Sequence, residues 1–294
     1  MTSPERLGRS FATLFVSQIR TTGLAIHREA ALAGAGLLLA CLITVTASRR
    51  FDDRFEAFPE LLLATLPVAL LLPWAIWRGD PAFGRAYLWT LPVRRQQAAA
   101  AKIAAGAVWL ILILVVALAA LLATAKATGG NIGVAEVRLV GPFHADPATA
   151  ARIPWATPAW MWLTPFGAAL TFYVASSAAL LGLRHPLRWL GGAVAVTLLV
   201  ILMLNMQPHN PINRGLGRFA EALVAGPWGL DFALTGGVGS LSEEIQLPRQ
   251  GPRPAWVDLW RGLPTAGGWL AALAVWLGAA LLALALALRR HWER

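Results

Sequence analysis

Few residues of this 294-residue chain could perform chemistry, and they lie outside or near the ends of its long apolar stretches. Met203, Met206 and His209 recur at every third position, and thioether and imidazole ligands of this kind can hold copper. Methionine near the end of a helix more commonly fills a gap between side chains. The sequence therefore predicts no metal site.

Paired carboxylates occur at Glu243-Glu244, with Arg249 following. The pair superficially resembles the Glu-Glu/Arg arrangement of some intramembrane proteases, but its spacing differs by one residue and it falls in a predicted loop. A solvated acidic pair explains it better. No nucleophile with a nearby base occurs within the apolar stretches, so no catalytic residue is predicted.

A nucleotide-binding P-loop requires a Gly-Lys pair. The chain has only two lysines, Lys102 and Lys126, and both follow alanine. The chain therefore has no Walker-type ATPase of its own, and we expect it to bind no cofactor.

Six apolar stretches contain no Asp, Glu, Lys or Arg, and each is long enough to cross a hydrocarbon core of about 30 Å as a helix. Charged residues make up 14% of the chain, whereas soluble domains carry about 25%. We therefore predict an all-α polytopic membrane protein, a single transmembrane domain over residues 1–294 with six transmembrane helices. The predicted spans are Ala30–Ala47, Leu61–Trp77, Ile103–Thr124, Ala159–Leu183, Trp189–Met206 and Gly268–Leu288.

Basic residues predict the orientation, since they accumulate in cytoplasmic loops. With the N-terminus inside, the inner segments hold a net charge of +10 and the outer segments none. Both termini are therefore predicted to be cytoplasmic, and the excess charge indicates topology rather than binding of nucleic acid. Only two of the 25 basic residues are lysine, which favours a bacterial source and hence the cytoplasmic (inner) membrane.

The N-terminal segment 1–29 is amphipathic, with an apolar stripe at helical spacing formed by Leu7, Phe11, Leu14, Phe15 and Ile19. We expect a helix that lies in the cytoplasmic interface and contacts membrane lipid. The Thr21-Thr22-Gly23 sequence is expected to break this helix before the first span. A solvated helix that packs on a partner is the alternative.

Two long outer connections are predicted, over residues 125–158 and 207–267, in addition to the short one at 48–60. In the second, 218–225 and 228–234 are moderately apolar pieces separated by Gly226-Pro227, and 236–240 is expected to be loop.

The longest inner loop, 78–102, carries the most specific pattern. Pro81 suits the first position of a short helix, and Pro92 ends it. In order, the loop contains an acidic-x-x-x-Gly element, a leucine-containing turn, proline, two arginines and a lysine that opens the third span. These positions are Asp80, Gly84, Leu88, Leu91-Pro92-Val93, Arg94-Arg95 and Lys102.

This loop, the six spans and the N-terminal helix together resemble type-2 permease subunits of the ATP-binding-cassette (ABC) exporters. The resemblance implies a coupling helix that docks on a separate cytoplasmic ATPase, which binds ATP and magnesium. It also implies a second permease copy, identical or a sister subunit, and re-entrant outer helices between spans five and six. The residues implied in coupling are Asp80, Phe83, Gly84, Tyr87, Leu88, Leu91, Pro92, Arg94 and Arg95.

Polar side chains in the fourth span suggest a substrate path, with ordinary helix packing as the alternative. They are Thr164, Thr171, Tyr173, Ser176 and Ser177.

Two other functions stay open. A membrane-embedded enzyme or assembly factor would use the outer segments, and a secondary transporter would use an ion gradient. Proton or ion coupling normally requires ionisable residues inside the membrane, and the six stretches have none. The sequence therefore favours an exporter powered by a partner.

Overall fold

A computed structural model describes residues 4–78, 95–139, 151–186, 188–189, 191–192, 195–196, 199, 211–246 and 256–292. The chain is mostly helical, and a small sheet joins its two longest connections. Among the described residues, five helical segments are long and apolar enough to cross a membrane: Ala12–Phe51, Pro59–Trp77, Gln96–Thr128, Ala159–Gly182 and Ala266–Arg289. The predicted fifth span, Trp189–Met206, lies largely outside the described residues.

Helix α1 runs without interruption from Pro4 to Phe51. The expected break at Thr21-Thr22-Gly23 is wrong, because these residues lie inside one continuous helix. The Thr21 hydroxyl donates to the Ser17 and Gln18 carbonyls of the preceding turn. The absence of a side chain at Gly23 admits the indole ring of Trp109, since a Cβ there would lie 2.5 Å from a ring carbon.

The end of α1 is sharply defined. Asp52 adopts a left-handed conformation with φ of 49°, and the Asp53 N–H donates to the Ser48 carbonyl at 3.0 Å. This six-to-one bond is that of a Schellman motif, which satisfies a carbonyl of the last turn and turns the chain away from the helix.

The second and fourth spans each begin with a 3-10 turn. Pro59–Thr65 precedes α2 (Leu66–Trp77), and Ala159–Leu163 precedes α4 (Thr164–Gly182). Pro67 and Pro165 fall in the first turn of their α-helices, where the missing N–H has no intrahelical partner to lose.

Helices α3 (Arg95–Thr128) and α8 (Ala266–Trp292) complete the described membrane portion. Helix α4 packs most extensively against α8 and also contacts α2, while the main neighbour of α1 is α3. The core of the bundle joins α2, α3, α4 and α8, and its largest fully buried side chains include Tyr173, Leu110, Leu114 and Leu181.

In the described part of the chain, four strands form a mixed sheet, which the sequence analysis did not predict. They are β1 (Val134–Leu139), β2 (Ala151–Ala156), β3 (Ser242–Gln246) and β4 (Trp256–Trp260). The order is β2-β1-β4-β3, with antiparallel outer pairs and a parallel central pair. The parallel pairing of β1 with β4 ties the connection 125–158 to the connection 207–267, which no local sequence pattern indicates. We call this side of the bundle the sheet end, and the side that carries residues 79–94 the loop end.

Three short helices precede β3: α5 (Pro211–Ala225), α6 (Leu230–Thr235) and α7 (Val238–Leu241). Helices α5 and α6 lie on either side of Gly226-Pro227, where the sequence has two apolar pieces, and their re-entrant character stays a prediction. The loop expected at 236–240 is wrong in part, because only Gly236 and Gly237 lie outside helices. Their φ angles of 75° and 93° end α6 and allow the chain to turn directly into α7.

Candidate functional site: the loop end of the bundle

An ion pair joins α1 to the residue at which the 79–94 loop begins. Arg78 follows the last residue of α2, and its Nη1 lies 2.8 Å from Oε1 of Glu29. Both side chains are substantially exposed, so the pair contributes little to the free energy of folding. Its effect is geometric, since it holds the departing chain next to α1.

A second contact fixes the same point to α3. The ammonium of Lys102 lies 4.3 Å from the ring centroid of Trp77, the last residue of α2. Both side chains are buried, and a cation over an indole face is stabilised further when it is shielded from water. The end of α2 is therefore attached to α3 two turns into that helix.

The predicted coupling residues lie almost entirely outside the described residues. Asp80, Phe83, Gly84, Tyr87, Leu88, Leu91, Pro92 and Arg94 belong to the undescribed segment 79–94, and Arg95 is the first residue of α3. Their role in coupling stays a prediction. The sequence analysis did not predict the Glu29–Arg78 pair, although one signal was available. The acidic residue directly precedes the first predicted span, and the basic residue directly follows the second.

The five polar residues predicted for a substrate path all donate hydrogen bonds to backbone carbonyls. Two of them connect helices: Tyr173 bonds the Ile103 carbonyl of α3 at 2.8 Å, and Ser176 bonds the Leu70 carbonyl of α2 at 2.6 Å. The others bond within their own segment, in the pairs Thr164 to Met161, Thr171 to Gly167 and Ser177 to Tyr173.

The α3–α4 crossing is close because residue 106 is glycine. A Cβ at Gly106 would collide with the hydroxyl oxygen of Tyr173 and would lie 2.5 Å from Cδ1 of Ile76. Tyr173 is also 1% exposed. In this conformation the polar side chains of α4 hold three helices together, and their part in a path stays a prediction.

At the opposite side of the bundle, the turn between α5 and α6 reaches well down α8. The indole Nε1 of Trp276 donates to the Trp228 carbonyl at 3.0 Å. Trp276 lies ten residues beyond Ala266, the first residue of α8, which corresponds to about 15 Å along the helix axis. The turn at residues 226–229 therefore lies beside α8 rather than at the start of that helix.

An acidic recess of about 530 Å³ lies beside the sheet. Its carboxylates come from Glu56, Glu136, Glu244 and Asp258, and Arg152 forms an ion pair with Glu136 at 3.4 Å. Burial raises the pKa of Asp258, and the neighbouring charge of Glu244 raises it further. The recess has a negative potential, but among the described residues no group of three or more His, Cys, Asp or Glu side chains could hold a metal ion.

Comparison with known proteins identified no relative. No family model matches the chain, and neither a curated protein nor a solved structure is significantly similar to it.

Proposed function

We propose that this chain is the membrane permease subunit of an ATP-driven ABC exporter of the type-2 class. It forms the substrate path as a dimer with a second copy or a sister subunit, and a separate cytoplasmic ATPase drives it. The proposed location is the cytoplasmic membrane of a bacterium, with both termini and the 79–94 loop on the cytoplasmic side.

The observation that carries this proposal is the double attachment at the base of the loop. Glu29 of α1 and Lys102 of α3 both hold the last residues of α2, at Arg78 and Trp77. A force applied to a loop with a loose base would be lost in local motion. With this base, a displacement of the loop by a closing ATPase moves α1, α2 and α3 together.

The distribution of charge supports an external source of energy. Each of the five described helical segments that could cross a membrane contains a run without Asp, Glu, Lys or Arg that is long enough to span it, and charged residues such as Arg28, Glu29 and Lys102 lie outside these runs. Proton- or ion-coupled carriers place ionisable groups at the membrane centre. The chain also lacks the Gly-Lys pair of a P-loop.

The turn between α5 and α6 supports an outer gate of re-entrant helices. A depth of about 15 Å from the start of α8 is half of a hydrocarbon core of about 30 Å. Non-helical backbone at such depth must be covered by protein, and the bond from Trp276 to the Trp228 carbonyl supplies one such partner. Movement of α4 relative to α2 and α3 would release Ser176 and Tyr173 from their carbonyls and expose polar groups to cargo.

Co-purification tests the proposal. The tagged chain is expressed together with its neighbouring genes, extracted in mild detergent and assayed for bound ATPase and for vanadate-sensitive ATP hydrolysis. We expect a bound ATPase with the unaltered chain and its loss in the Arg94→Ala/Arg95→Ala variant. The matched control is Arg289→Ala/Arg290→Ala, which removes an arginine pair from the same side and should retain the ATPase.

Three results would contradict the proposal. If no ATPase accompanies a well-folded chain, the exporter class is wrong. If the chain alone transports cargo in vesicles in response to an ion gradient and is insensitive to vanadate, it is a secondary transporter. Function that survives the Arg94/Arg95 substitution would favour a membrane-embedded enzyme or assembly factor.

A further inference from the structure

A long apolar groove separates the sheet-end half of α1 from α2 and α3. Its volume is about 500 Å³. The α1 wall is formed mainly by small residues, including Ala30, Ala33, Gly34, Ala40 and Cys41. Opposite them lie side chains of α3 and of the segment 61–68, so the lining, apart from Phe55, belongs to helical segments that are apolar enough to cross a membrane.

The groove offers no polar group that a ligand would need to satisfy. Its lining contains no charged residue, and its three hydroxyls belong to Thr44, Thr65 and Thr124. Each hydroxyl already donates to a carbonyl of its own helical segment, at 2.9, 2.6 and 2.8 Å. A hydrocarbon chain is therefore the ligand whose chemistry matches this lining.

Different contacts define the two ends of the groove. At its loop end, Trp109 bridges the helices, because its Nε1 donates to the Ile19 carbonyl of α1 at 3.0 Å and its ring rests on Gly23. At its sheet end the lining finishes with Phe55 and Thr124, and the Phe55 N–H donates to the Thr128 hydroxyl of α3 at 3.2 Å. Exposed charged side chains of both signs are close in sequence to these lining residues: Arg49, Arg50, Arg54, Lys126, Asp52, Asp53 and Glu56.

The length of the groove suits one hydrocarbon chain. Ala30 and Thr44 are fourteen residues apart, a length of about 21 Å in an α-helix. A chain that lies along this stretch meets apolar side chains and hydroxyls that already have partners.

We propose that this groove binds one acyl chain of a phospholipid, which lies along α1 with its terminal carbons at Trp109. The headgroup then lies towards the sheet end, near the charged side chains named above. Because both signs of charge are present there, a zwitterionic headgroup is accommodated as well as an anionic one, and the acyl chain dominates recognition. The inference does not depend on the proposed exporter function.

Photo-cross-linking tests the site directly. The purified full chain is reconstituted into phosphatidylcholine vesicles that contain a trace of phosphatidylethanolamine with a diazirine midway along one acyl chain. After irradiation, labelled positions are mapped by mass spectrometry. We expect the label to concentrate on the groove walls, chiefly α1 between Ala30 and Thr44 and α3 between Trp109 and Thr124.

A matched pair of variants makes the test specific. Gly34 lines the groove, whereas Gly36 lies on the same helix outside it, and a Cβ at either position meets nothing within 4 Å. Gly34→Leu should fill the groove and reduce labelling of its walls at least fivefold, while Gly36→Leu should leave it unchanged. Thermal unfolding of both variants should be alike, which separates loss of lipid from loss of fold.

The proposal is overturned by equal labelling in the two variants, by label spread evenly around the bundle, or by cross-links from the groove to a second copy of the chain. A phosphatidylglycerol probe should label the groove within about twofold of the phosphatidylethanolamine probe. Labelling by the anionic probe alone would contradict recognition through the acyl chain. None of these outcomes depends on a bound ATPase, so the lipid site and the exporter function fail separately.

Discussion

Two parts of the bundle carry small residues at helical spacing, and they differ in what lies opposite. At the α4–α8 contact, a Cβ on Gly167 would lie 3.0 and 3.1 Å from the Leu273 methyl carbons. In the α1 groove, a Cβ on Gly34 would meet nothing within 4 Å. Small residues let helices approach closely. They do so at the α4–α8 contact, whereas in the α1 groove they leave an apolar space.

The hydroxyl groups differ in the same way. We call the contacts of α4 with α2, α3 and α8 the packed region. Two of the five α4 hydroxyls named above, those of Tyr173 and Ser176, bond carbonyls of neighbouring helices, and the other three bond within their own segment. In the groove, Thr44 and Thr124 bond carbonyls of their own helices. The packed region is therefore held by contacts between helices, whereas the groove is open to a ligand.

The largest effect is expected at the α3–α4 crossing. Gly106→Val would drive a side chain into Tyr173 and Ile76 and break the bond to the Ile103 carbonyl. Overpacking and a lost buried hydrogen bond together should lower the free energy of unfolding by about 3 kcal/mol, which corresponds to a fall in Tm of roughly 6–12 °C. Thermal unfolding in detergent measures this, with Gly36→Val as the control that should change little.

The same substitution at the two compared glycines gives the next largest effect. Gly167→Val presses on Leu273 and should cost about 1–3 kcal/mol, while Gly34→Val projects into empty space and should change stability by less than about 0.5 kcal/mol. Tm values of the two variants, measured side by side, test this difference in stability. Equal destabilisation would mean that the groove is closed in the folded protein and that the comparison fails.

A smaller difference is expected from the hydroxyls. Tyr173→Phe removes a hydrogen bond between helices and should cost about 1 kcal/mol. Thr44→Val replaces a hydroxyl that bonds only its own helix, so we expect a change close to zero. Urea titration at constant detergent would show the difference, and a larger loss for Thr44→Val would reverse the roles of the two regions.

The smallest effect lies in the sheet, outside both regions. Since burial and then Glu244 raise the pKa of Asp258, ionisation of this carboxyl is less favourable in the folded than in the unfolded chain. Its contribution to stability therefore falls as pH rises above the ordinary value of 3.8. Asp258→Asn should raise Tm by about 1–2 °C at pH 7 and have no effect below about pH 3.5. A constant difference between pH 3 and pH 8 would contradict this.

The sequence predicted the helical spans well because a membrane helix must satisfy its own backbone and cover its surface with apolar side chains. Charge-free runs of residues therefore mark α2, α3, α4 and α8 without knowledge of their neighbours. The break expected in α1 failed for the opposite reason. Gly23 indicates flexibility when it is read alone, but the structure uses it to seat Trp109, a residue 86 positions away.

The sheet and the loop attachments are likewise non-local. Val137 pairs with Asp258 across more than a hundred residues, and Glu29 pairs with Arg78 across 49. Strands this short, with proline in β2 and charges in β3, carry little pattern of their own. The groove could not be predicted either, because small residues at helical spacing do not indicate whether a neighbouring helix packs against them.

The most direct test of the exporter account is the side of the membrane on which the 79–94 loop lies. Replacement of the single cysteine, Cys41→Ser, gives a background for labelling. Tyr87→Cys then reports the loop, and Glu243→Cys reports the exposed edge of the sheet. With a membrane-impermeant maleimide, we expect the Glu243→Cys protein to react in intact cells and the Tyr87→Cys protein only in inverted vesicles. Reaction of the Tyr87→Cys protein in intact cells would place the loop away from ATP and contradict coupling to a cytoplasmic ATPase.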